Sequence, residues 1–343
     1  MRISPQATLG ATCAAALLFA AGTAGADAVA DFYRSRTVSV VVGFSPGGGG
    51  DTFGRLLARH IGAHIPGKPN VIVQNMPGAG GFTAISHVYN AAAKDGSILV
   101  LTNSSSITAP SMGHRNARWD IFRFQWLGNL TRDAAGCVAS ARSGLGTITT
   151  AAERQIIFGA TGSSSPSAQQ PRLLAHLFGY RMKVIAGYKG TADVRLAMEK
   201  GEVDAVCAFW ASLAVGPQKA DMQSGKLVPI LQMGSRKHPA FGDAPLAYDL
   251  ARNEEERQIM RFIYGPTEIS RPFAVPPGVP AERVAALRQA FWAAANAPGL
   301  KDDAGRQRLF IDPMTWEETV AAFRAVLDVP QPVIDRAKEA IRR

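Results

Sequence analysis

The segment at 38–61 constrains the fold more than any other part of the chain. It opens with an almost unbroken β-branched run at 38–42, which is typical of a parallel strand covered on both faces. Four successive glycines follow at 47–50, and the apolar positions after them recur on one helical face: Phe53, Leu56, Leu57 and Ile61. The sequence therefore predicts a strand, a glycine loop and a helix in succession, as in α/β proteins.

The junction between this loop and its helix suits an anion. Glycines let a ligand approach the backbone without a Cβ in the way, and the helix start offers unpaired N–H groups and a partial positive charge. We predict that Gly48, Gly49, Gly50 and Thr52 bind one carboxylate; a tight turn without a ligand is the alternative. Asp51 would repel an anion, so we expect it to cap the helix instead.

Nucleotide binding is poorly supported by the glycine motifs. The loop at 47–50 lacks the Gly-Lys-Ser/Thr of a P-loop and fits Gly-x-Gly-x-x-Gly in no register. A second loop at 78–83, GAGGFT, misses that fingerprint only at its last position, but an isolated near match is a weak signal. A carboxylate is therefore the simplest ligand.

Two further polar loops end predicted strands at 97–102 and 155–159. Ligands of open α/β sheets bind outside the carboxyl ends of the strands, so both loops should face one crevice. The candidate ligand-binding positions in these loops have small polar side chains or none: Asn103, Ser104, Gly162, Ser163, Ser164 and Ser165. For the second loop, the alternative is a helix cap with solvated serines.

Several blocks of the chain, in order, resemble one known family. They are FSPGGGGDTFGRLLARHI, VIVQNMPGAGGFTAI, AAAKDGSILVLTNSS, FGATGSSS, VIAGYKGTADVRLAMEKGEVDAV and, faintly, FAVPPGVPAERVAALRQAF. They resemble the extracytoplasmic solute-binding receptors of tripartite tricarboxylate transporters, also called Bug receptors. The resemblance implies a two-lobed periplasmic-binding-protein fold (type II, Venus flytrap), a carboxylate held between the lobes, and delivery to two membrane subunits.

The predicted architecture is α/β, with each lobe a mostly parallel sheet flanked by helices. A chain of 343 residues is long enough for two such lobes. We assign 33–133 and 268–343 to lobe 1 and 134–267 to lobe 2, with crossings near 126–142 and 268–276. Hinge closure about these crossings would enclose the ligand, and we expect a monomer.

Two aromatic residues are further candidates. The resemblance puts Tyr188, in GYKG, at the cleft; a half-buried aromatic residue at the hinge is the alternative. Where many family members have an acidic residue after the Val-Asp pair, this chain continues through Phe209 to Trp210. We therefore predict that Trp210 contacts an aromatic or otherwise hydrophobic part of the carboxylate, although core packing would explain it nearly as well.

The sequence favours a receptor over an enzyme. His60 and His64 are spaced i, i+4 without acidic or cysteine neighbours, so we expect neither a metal site nor a cofactor. There is no His-Glu-x-x-His motif, and no histidine lies beside the 163–165 serine cluster in the sequence. The alternative function is an exported α/β hydrolase that uses a serine of the 163–165 cluster with a histidine from a distant part of the chain.

The first 26 residues have the features of a signal peptide. Arg2 precedes a short apolar stretch at 14–21, and Ala24-Gly25-Ala26 fits small-x-small before a cleavage site. We expect export to the periplasm with cleavage near Ala26. The remaining chain has 36 basic and 27 acidic residues, a formal charge of +9. Because these charges are scattered, nucleic-acid binding is not expected.

Two cysteines remain after this cleavage. Cys137 and Cys207 both lie in apolar, strand-like segments. An exported protein could join them in a disulfide, but two buried free thiols are equally compatible with the sequence, because pairing depends on the distance between the strands.

Overall fold

The computed structural model describes residues 28–211, 218–234 and 236–342. Two five-stranded sheets organise the chain. The first has the order β2-β1-β3-β10-β4 and consists of β1 (Thr37–Val42), β2 (Asn70–Asn75), β3 (Ile98–Leu101), β4 (Gln125–Asn129) and β10 (Pro272–Val275). The second has the order β7-β6-β8-β5-β9 and consists of β5 (Ala135–Ser140), β6 (Ile156–Ala160), β7 (Met182–Ala186), β8 (Ala205–Trp210) and β9 (Leu227–Gln232).

Both sheets are mixed in the same way. In the first sheet, β1 is parallel to β2 and β3, whereas β10 is antiparallel to its neighbours β3 and β4. In the second sheet, β6 is parallel to β7 and β8, whereas β5 is antiparallel to β8 and β9. The reversed strand of each sheet is the one that enters from the other sheet. The α/β, two-lobed fold class is therefore confirmed, with one antiparallel strand in each lobe.

Helices follow most of the strands. They are α1 (Gly49–Ile61), α2 (Phe82–Asn90), α3 (Ser105–Thr108), α4 (Pro166–Phe178), α5 (Thr191–Lys200), α6 (Lys219–Gln223), α7 (Glu254–Tyr264), α8 (Ala281–Asn296), α9 (Pro298–Arg306), α10 (Trp316–Leu327) and α11 (Gln331–Ile341). The short helix α9 was not predicted. Its sequence, PGLKDDAGR, has only one large apolar residue, Leu300, which is fully buried.

Each sheet is covered on both faces. Val40 of β1 packs toward α1 and α8, and its neighbour Val41 packs on the opposite face with α2 and α10. In the second sheet, Phe158 joins a cluster with α4 and α7, and Val206 joins one with α5. Burial on two faces explains why these strands are apolar without alternation.

Two segments connect the sheets side by side. The chain passes from β4 to β5 through 130–134 and returns to β10 through 269–271. Arg132 and Ile269 form an antiparallel bridge between the two connections. We refer to the units built on the first and second sheets as the first and second lobe.

The last helix differs from the sequence-based assignment of 268–343 to lobe 1. Helix α10 covers the first sheet, but α11 packs against α4 and α7 of the second lobe. Val333, Ile334 and Ala337 are buried in that lobe's core. These apolar residues form one face of α11, and α11 packs on the second lobe because that lobe buries this face.

Cys137 and Cys207 form a disulfide between the neighbouring strands β5 and β8. Both residues are fully buried in the core of the second lobe. The sequence alone did not decide between a disulfide and two free thiols. The pairing of β5 with β8 brings the two cysteines together.

In the described part of the chain, no helix is both long and apolar enough to cross a membrane. The predicted signal peptide and its cleavage site near Ala26 lie outside the described residues.

Candidate functional site

A cavity of about 380 Å³ lies between the two lobes. The first lobe contributes Gly47, Gly49 and Thr52 at the start of α1. The second lobe contributes Thr191 at the start of α5. The remaining described residues that line it are mostly apolar: Val138, Ala192, Arg195, Met198, Val206, Ala208, Phe209, Gln218, Leu227 and Leu309. Two helix N-termini thus face one largely apolar cavity.

The glycine loop before α1 is held by Asp51. Its carboxylate accepts hydrogen bonds from the Gly47 N–H at 2.8 Å, from Arg55 Nε at 2.9 Å and from Asn75 Nδ2 at 2.8 Å. Burial opposes ionisation of Asp51, but these hydrogen bonds outweigh it and lower its pKa. Asp51 therefore braces the loop that precedes its helix, and its charge is compensated locally.

The first turn of α1 contributes Gly49 and Thr52 to the cavity lining. Gly48 precedes the helix in an extended conformation, and its carbonyl accepts hydrogen bonds from both the N–H and the hydroxyl of Thr52, each at 3.0 Å. A Cβ on Gly50 would lie 2.9 Å from the Phe44 ring. Gly50 is thus needed for packing, whereas Gly49 lines the cavity.

The predicted serine loop meets the second glycine loop directly. A Cβ on Gly162 would lie 2.6 Å from the Gly80 nitrogen, and one on Gly80 would lie 2.9 Å from the Ser165 nitrogen. Asn103 Nδ2 donates to the Gly80 carbonyl at 2.8 Å. Asn103 therefore fixes the first-lobe side of this contact, and Gly162 forms the second-lobe side.

The serines of this loop make different contacts. Ser163 lies next to the solvent, and its carbonyl accepts a hydrogen bond from Arg172 Nη1 at 2.7 Å. The Ser164 carbonyl accepts from Ser105 Oγ of the first lobe at 3.0 Å. Ser165 is fully buried, and its hydroxyl bonds the Gly162 carbonyl at 2.8 Å. Ser164 is therefore the member of this cluster that is hydrogen-bonded to the first lobe.

Ser164 also meets a histidine of the first lobe. Its hydroxyl is hydrogen-bonded to His114 Nε2. His114 Nδ1 accepts the Asn116 N–H at 3.3 Å, so the ring proton lies on Nε2 and is donated to Ser164. Burial, with Arg115 nearby, lowers the pKa of His114. The neutral ring is therefore favoured.

Ser104 has a buried hydroxyl that meets no hydrogen-bond partner among the described residues. It is 2% exposed and lies between Asn103 and α3. A buried hydroxyl without a partner is unfavourable. Ser104 is thus a predicted site residue whose hydroxyl bonds no described residue, and it is not part of the described cavity lining.

The GYKG loop of the second lobe lies opposite the first glycine loop. Ser45 Oγ donates to the Lys189 carbonyl at 3.2 Å, which joins the two loops across the cleft. Tyr188 is half-buried against the apolar cluster of its own lobe. Burial, with Glu202, raises its pKa, so its hydroxyl stays protonated.

Trp210 lies in the core of the second lobe, next to the cleft. It is 8% exposed, and its ring stacks on the Arg271 guanidinium, with 4.7 Å between the ring centroid and Cζ. Within the described cavity lining, the aromatic residue is its neighbour Phe209. The structure therefore associates Trp210 with Arg271, whereas Phe209 faces the cavity.

Sequence reasoning missed several residues that surround the cavity. Thr191 could have been found, because GYKG followed by a helix repeats the order of loop and helix N-terminus seen at 47–52. Ala208 could not. Its backbone has φ of +55°, its N–H is held by Gln170 Oε1 at 2.7 Å, and it follows the disulfide residue Cys207.

His60, one of the two histidines considered for metal binding, is engaged elsewhere. His60 Nε2 lies 3.0 Å from Asp303 Oδ2, which also accepts from Arg59 Nε at 2.9 Å. Among the described residues, no group of three or more His, Cys, Asp or Glu could hold a metal ion.

Sequence comparisons match this chain to known proteins. Residues 57–305 match the sequence profile of the tripartite tricarboxylate transporter family receptor. A segment of 86 residues is 42% identical to Protein BugT of Bordetella pertussis, covering 24% of this chain and 26% of that protein. The chain thus spans about a quarter of the length of this relative.

Solved structures show a similar fold over nearly the whole chain. MatC from Rhodopseudomonas palustris, with bound malate, has a TM-score of 0.67 at 21% identity, covering 90% of this chain and 99% of that chain. R. palustris Rpa4515, with adipate, has a TM-score of 0.68 at 17% identity, covering 88% of this chain and 97% of that chain. At these identities, the likeness shows the fold.

Proposed function

Because this chain belongs to the family of tripartite tricarboxylate transporter receptors, we propose that it is a periplasmic receptor that closes its lobes on a small organic carboxylate. The observation that carries this proposal is the cavity between the lobes, with the N-termini of α1 and α5 on opposite sides. Unpaired N–H groups and the helix dipole favour a carboxylate at each of these ends.

We propose that the first turn of α1 is the main anion-binding element. Gly49 and Thr52 line the cavity, and Gly48 and Gly50 shape the turn. In the closed form, a second set of polar residues, from the loops that meet between the lobes, would orient the lobes around the ligand. Its members are Asn103, Ser104, Gly162, Ser163, Ser164, Ser165 and Tyr188.

The ligand is proposed to have an apolar body. Val138, Met198 and Phe209 contribute to a largely apolar wall, on which such a body would be desolvated. An aromatic or aliphatic acid fits this wall better than an amino acid, whose ammonium group would be left without a partner. The malate and adipate seen in similarly folded proteins support a dicarboxylate with one end at each helix.

We expect the receptor to release its ligand unchanged, and the Ser164–His114 contact supports this expectation. A serine hydrolase needs a histidine nitrogen that accepts the serine proton. Here the Nε2 proton is donated to Ser164, and Nδ1 faces a backbone N–H where a triad would have a carboxylate. The hydrolase alternative is therefore disfavoured.

Delivery to the membrane subunits of a tripartite tricarboxylate transporter completes the proposal. Family membership supports this partnership. We further propose that the protein acts as a monomer after removal of the signal peptide near Ala26, with closure about the connections at 130–134 and 269–271.

A thermal-shift screen tests the proposed function. The panel contains malate, succinate, adipate, phthalate, benzoate and citrate, with a nucleotide and a sugar as controls. An acid at about 100 times its Kd should stabilise the folded protein by roughly 2.7 kcal/mol. NMR of the recovered acid should show no chemical change. Stabilisation by the nucleotide or sugar alone would refute the proposal.

A further inference from the structure

Arg271 is a buried cation at the junction of the lobes. It lies just before β10, on the connection that returns the chain to the first lobe, and it is 4% exposed. Its Nη1 donates to the Ser270 carbonyl at 2.7 Å. Within the described part of the chain, Nε and Nη2 have no hydrogen-bond partner, although both are shielded from solvent.

Aromatic rings from both lobes cover the Arg271 guanidinium. Its Cζ lies 4.7 Å from the ring centroid of Phe53, in the first turns of α1, and 4.7 Å from that of Trp210, at the end of β8. Cation–π contacts satisfy the π faces of a guanidinium but leave its in-plane N–H groups without acceptors. The nitrogen atoms of Arg271 whose N–H groups still lack an acceptor are therefore Nε and Nη2, which share one edge of the guanidinium.

That edge has the geometry of a carboxylate receptor. The Nε and Nη2 hydrogens of an arginine point in nearly the same direction and can donate two parallel hydrogen bonds to one carboxylate. An isolated buried charge is unfavourable unless an opposite charge pairs with it. Burial lowers the pKa of Arg271 to about 10, and Asp133 partly counteracts this through space. The side chain therefore remains protonated at neutral pH.

Arg271 is not among the described residues that line the cavity, but both rings that cover its guanidinium directly follow residues that do. Thr52 and Phe209 line the cavity, and the next residue of each, Phe53 and Trp210, stacks on Arg271. Because one ring belongs to each lobe, separation of the lobes would uncover the guanidinium, and closure would bury it with whatever anion it has bound.

We propose that the Nε–Nη2 edge of Arg271 is a bidentate anchor for one carboxylate of the ligand, assembled by lobe closure between Phe53 and Trp210. This inference rests on the proposed function, and it assigns the charge-recognising residue within it. It also gives Trp210 a role: the ring covers the anchor, and the apolar body of the ligand packs on Phe209.

Calorimetry on three variants tests the anchor, with the most stabilising acid of the thermal-shift panel as the probe. Arg271→Met removes the charge and should weaken binding by at least about tenfold. Arg271→Lys keeps a charge but loses the fork, so its affinity should lie between those of Arg271→Met and wild type. Arg288→Met is the matched control, because Arg288 stacks on Trp316 at 3.6 Å, outside the described cavity lining. Its affinity should equal that of wild type.

The melting temperature of the unliganded variants separates an anchor from a structural residue. If Arg271 awaits an anion, Arg271→Met should melt no lower than wild type, because an unpaired buried charge has been removed. Equal affinities of Arg271→Met and wild type would overturn the proposal. Failure of wild type to bind any acid of the panel would overturn the proposed function as well.

A measurement on wild type covers the case in which both Arg271 variants fail to fold. In ¹⁵N-labelled protein, saturation with the same acid should shift one arginine Nε–H resonance and slow its exchange with water. Binding of the acid without such a change at any arginine would overturn the anchor while leaving the proposed function intact.

Discussion

Gly80 and Gly162 face each other across the lobes so closely that a Cβ on Gly162 would lie 2.6 Å from the Gly80 nitrogen. This contact joins the second glycine loop of the first lobe to the serine loop of the second. Asn103 supports one side of it, and Ser105 bonds the Ser164 carbonyl beside it. The two loops thus form a direct contact between the lobes.

A methyl group at Gly162 should therefore hinder closure. In Gly162→Ala, the new Cβ meets backbone atoms, which cannot rotate away as a side chain can. If the closed fraction falls about tenfold, apparent affinity for the probe acid falls about tenfold. Gly146→Ala is the matched control, because its Cβ would meet no described atom within 4 Å. Small-angle scattering that shows equally compact liganded forms of both variants would contradict this expectation.

Gly49→Val should abolish acid binding while the fold survives. Its branched side chain would occupy the cavity at the start of α1. Ser164→Ala removes one neutral hydrogen-bonding group and should cost only about 0.5–1.5 kcal/mol of binding free energy. Calorimetry on both variants measures the difference. Normal binding by Gly49→Val would mean that the loop is only a turn.

Burial of His114 should make the stability of the fold sensitive to acid. Burial, with Arg115, lowers the pKa of His114 below its ordinary value of 6.5. The stabilisation from neutral His114 is therefore complete above pH 6.5 and is lost as the pH falls through the lower folded pKa.

His114→Gln should flatten this pH dependence, since glutamine does not titrate. The free energy of unfolding, measured in urea from about pH 7 to pH 5, should fall less steeply than in wild type. His176→Gln changes an exposed histidine and serves as the control. Parallel pH profiles for wild type and His114→Gln would contradict the lowered pKa of His114.

Loss of the Cys137–Cys207 disulfide should destabilise the second lobe. The bond closes a sequence separation of 70 residues, and removing such a bond typically costs about 2–4 kcal/mol. Ala208 follows Cys207 and lines the cavity, so the double Cys→Ala variant should also bind the probe acid more weakly. Two free thiols in the unfolded, unreduced wild-type protein would refute the pairing.

The sequence predicted local structure better than contacts between distant residues. The apolar run and glycines at 38–50 predicted β1 and the start of α1, because strand burial and helix initiation leave short-range patterns. The strands predicted at 97–102 and 155–159 correspond to β3 and β6. Helix α9 was missed because its pattern contains a single large apolar residue.

Contacts across the lobes could not be predicted in this way. His114 and Ser164 are 50 residues apart, and no local periodicity relates them. Arg271 gave no signal in the sequence, because its unpartnered edge and its two covering rings exist only after both lobes have formed. The disulfide likewise depends on strand order.

Isothermal titration calorimetry of the purified mature protein with the acid panel measures directly whether this chain binds a carboxylate. We expect at least one acid with an apolar body to bind at one site per chain, and Gly49→Val to abolish the heat of binding. Binding of no carboxylate, or an acid whose affinity is the same for wild type and Gly49→Val, would contradict a carboxylate receptor built on the start of α1.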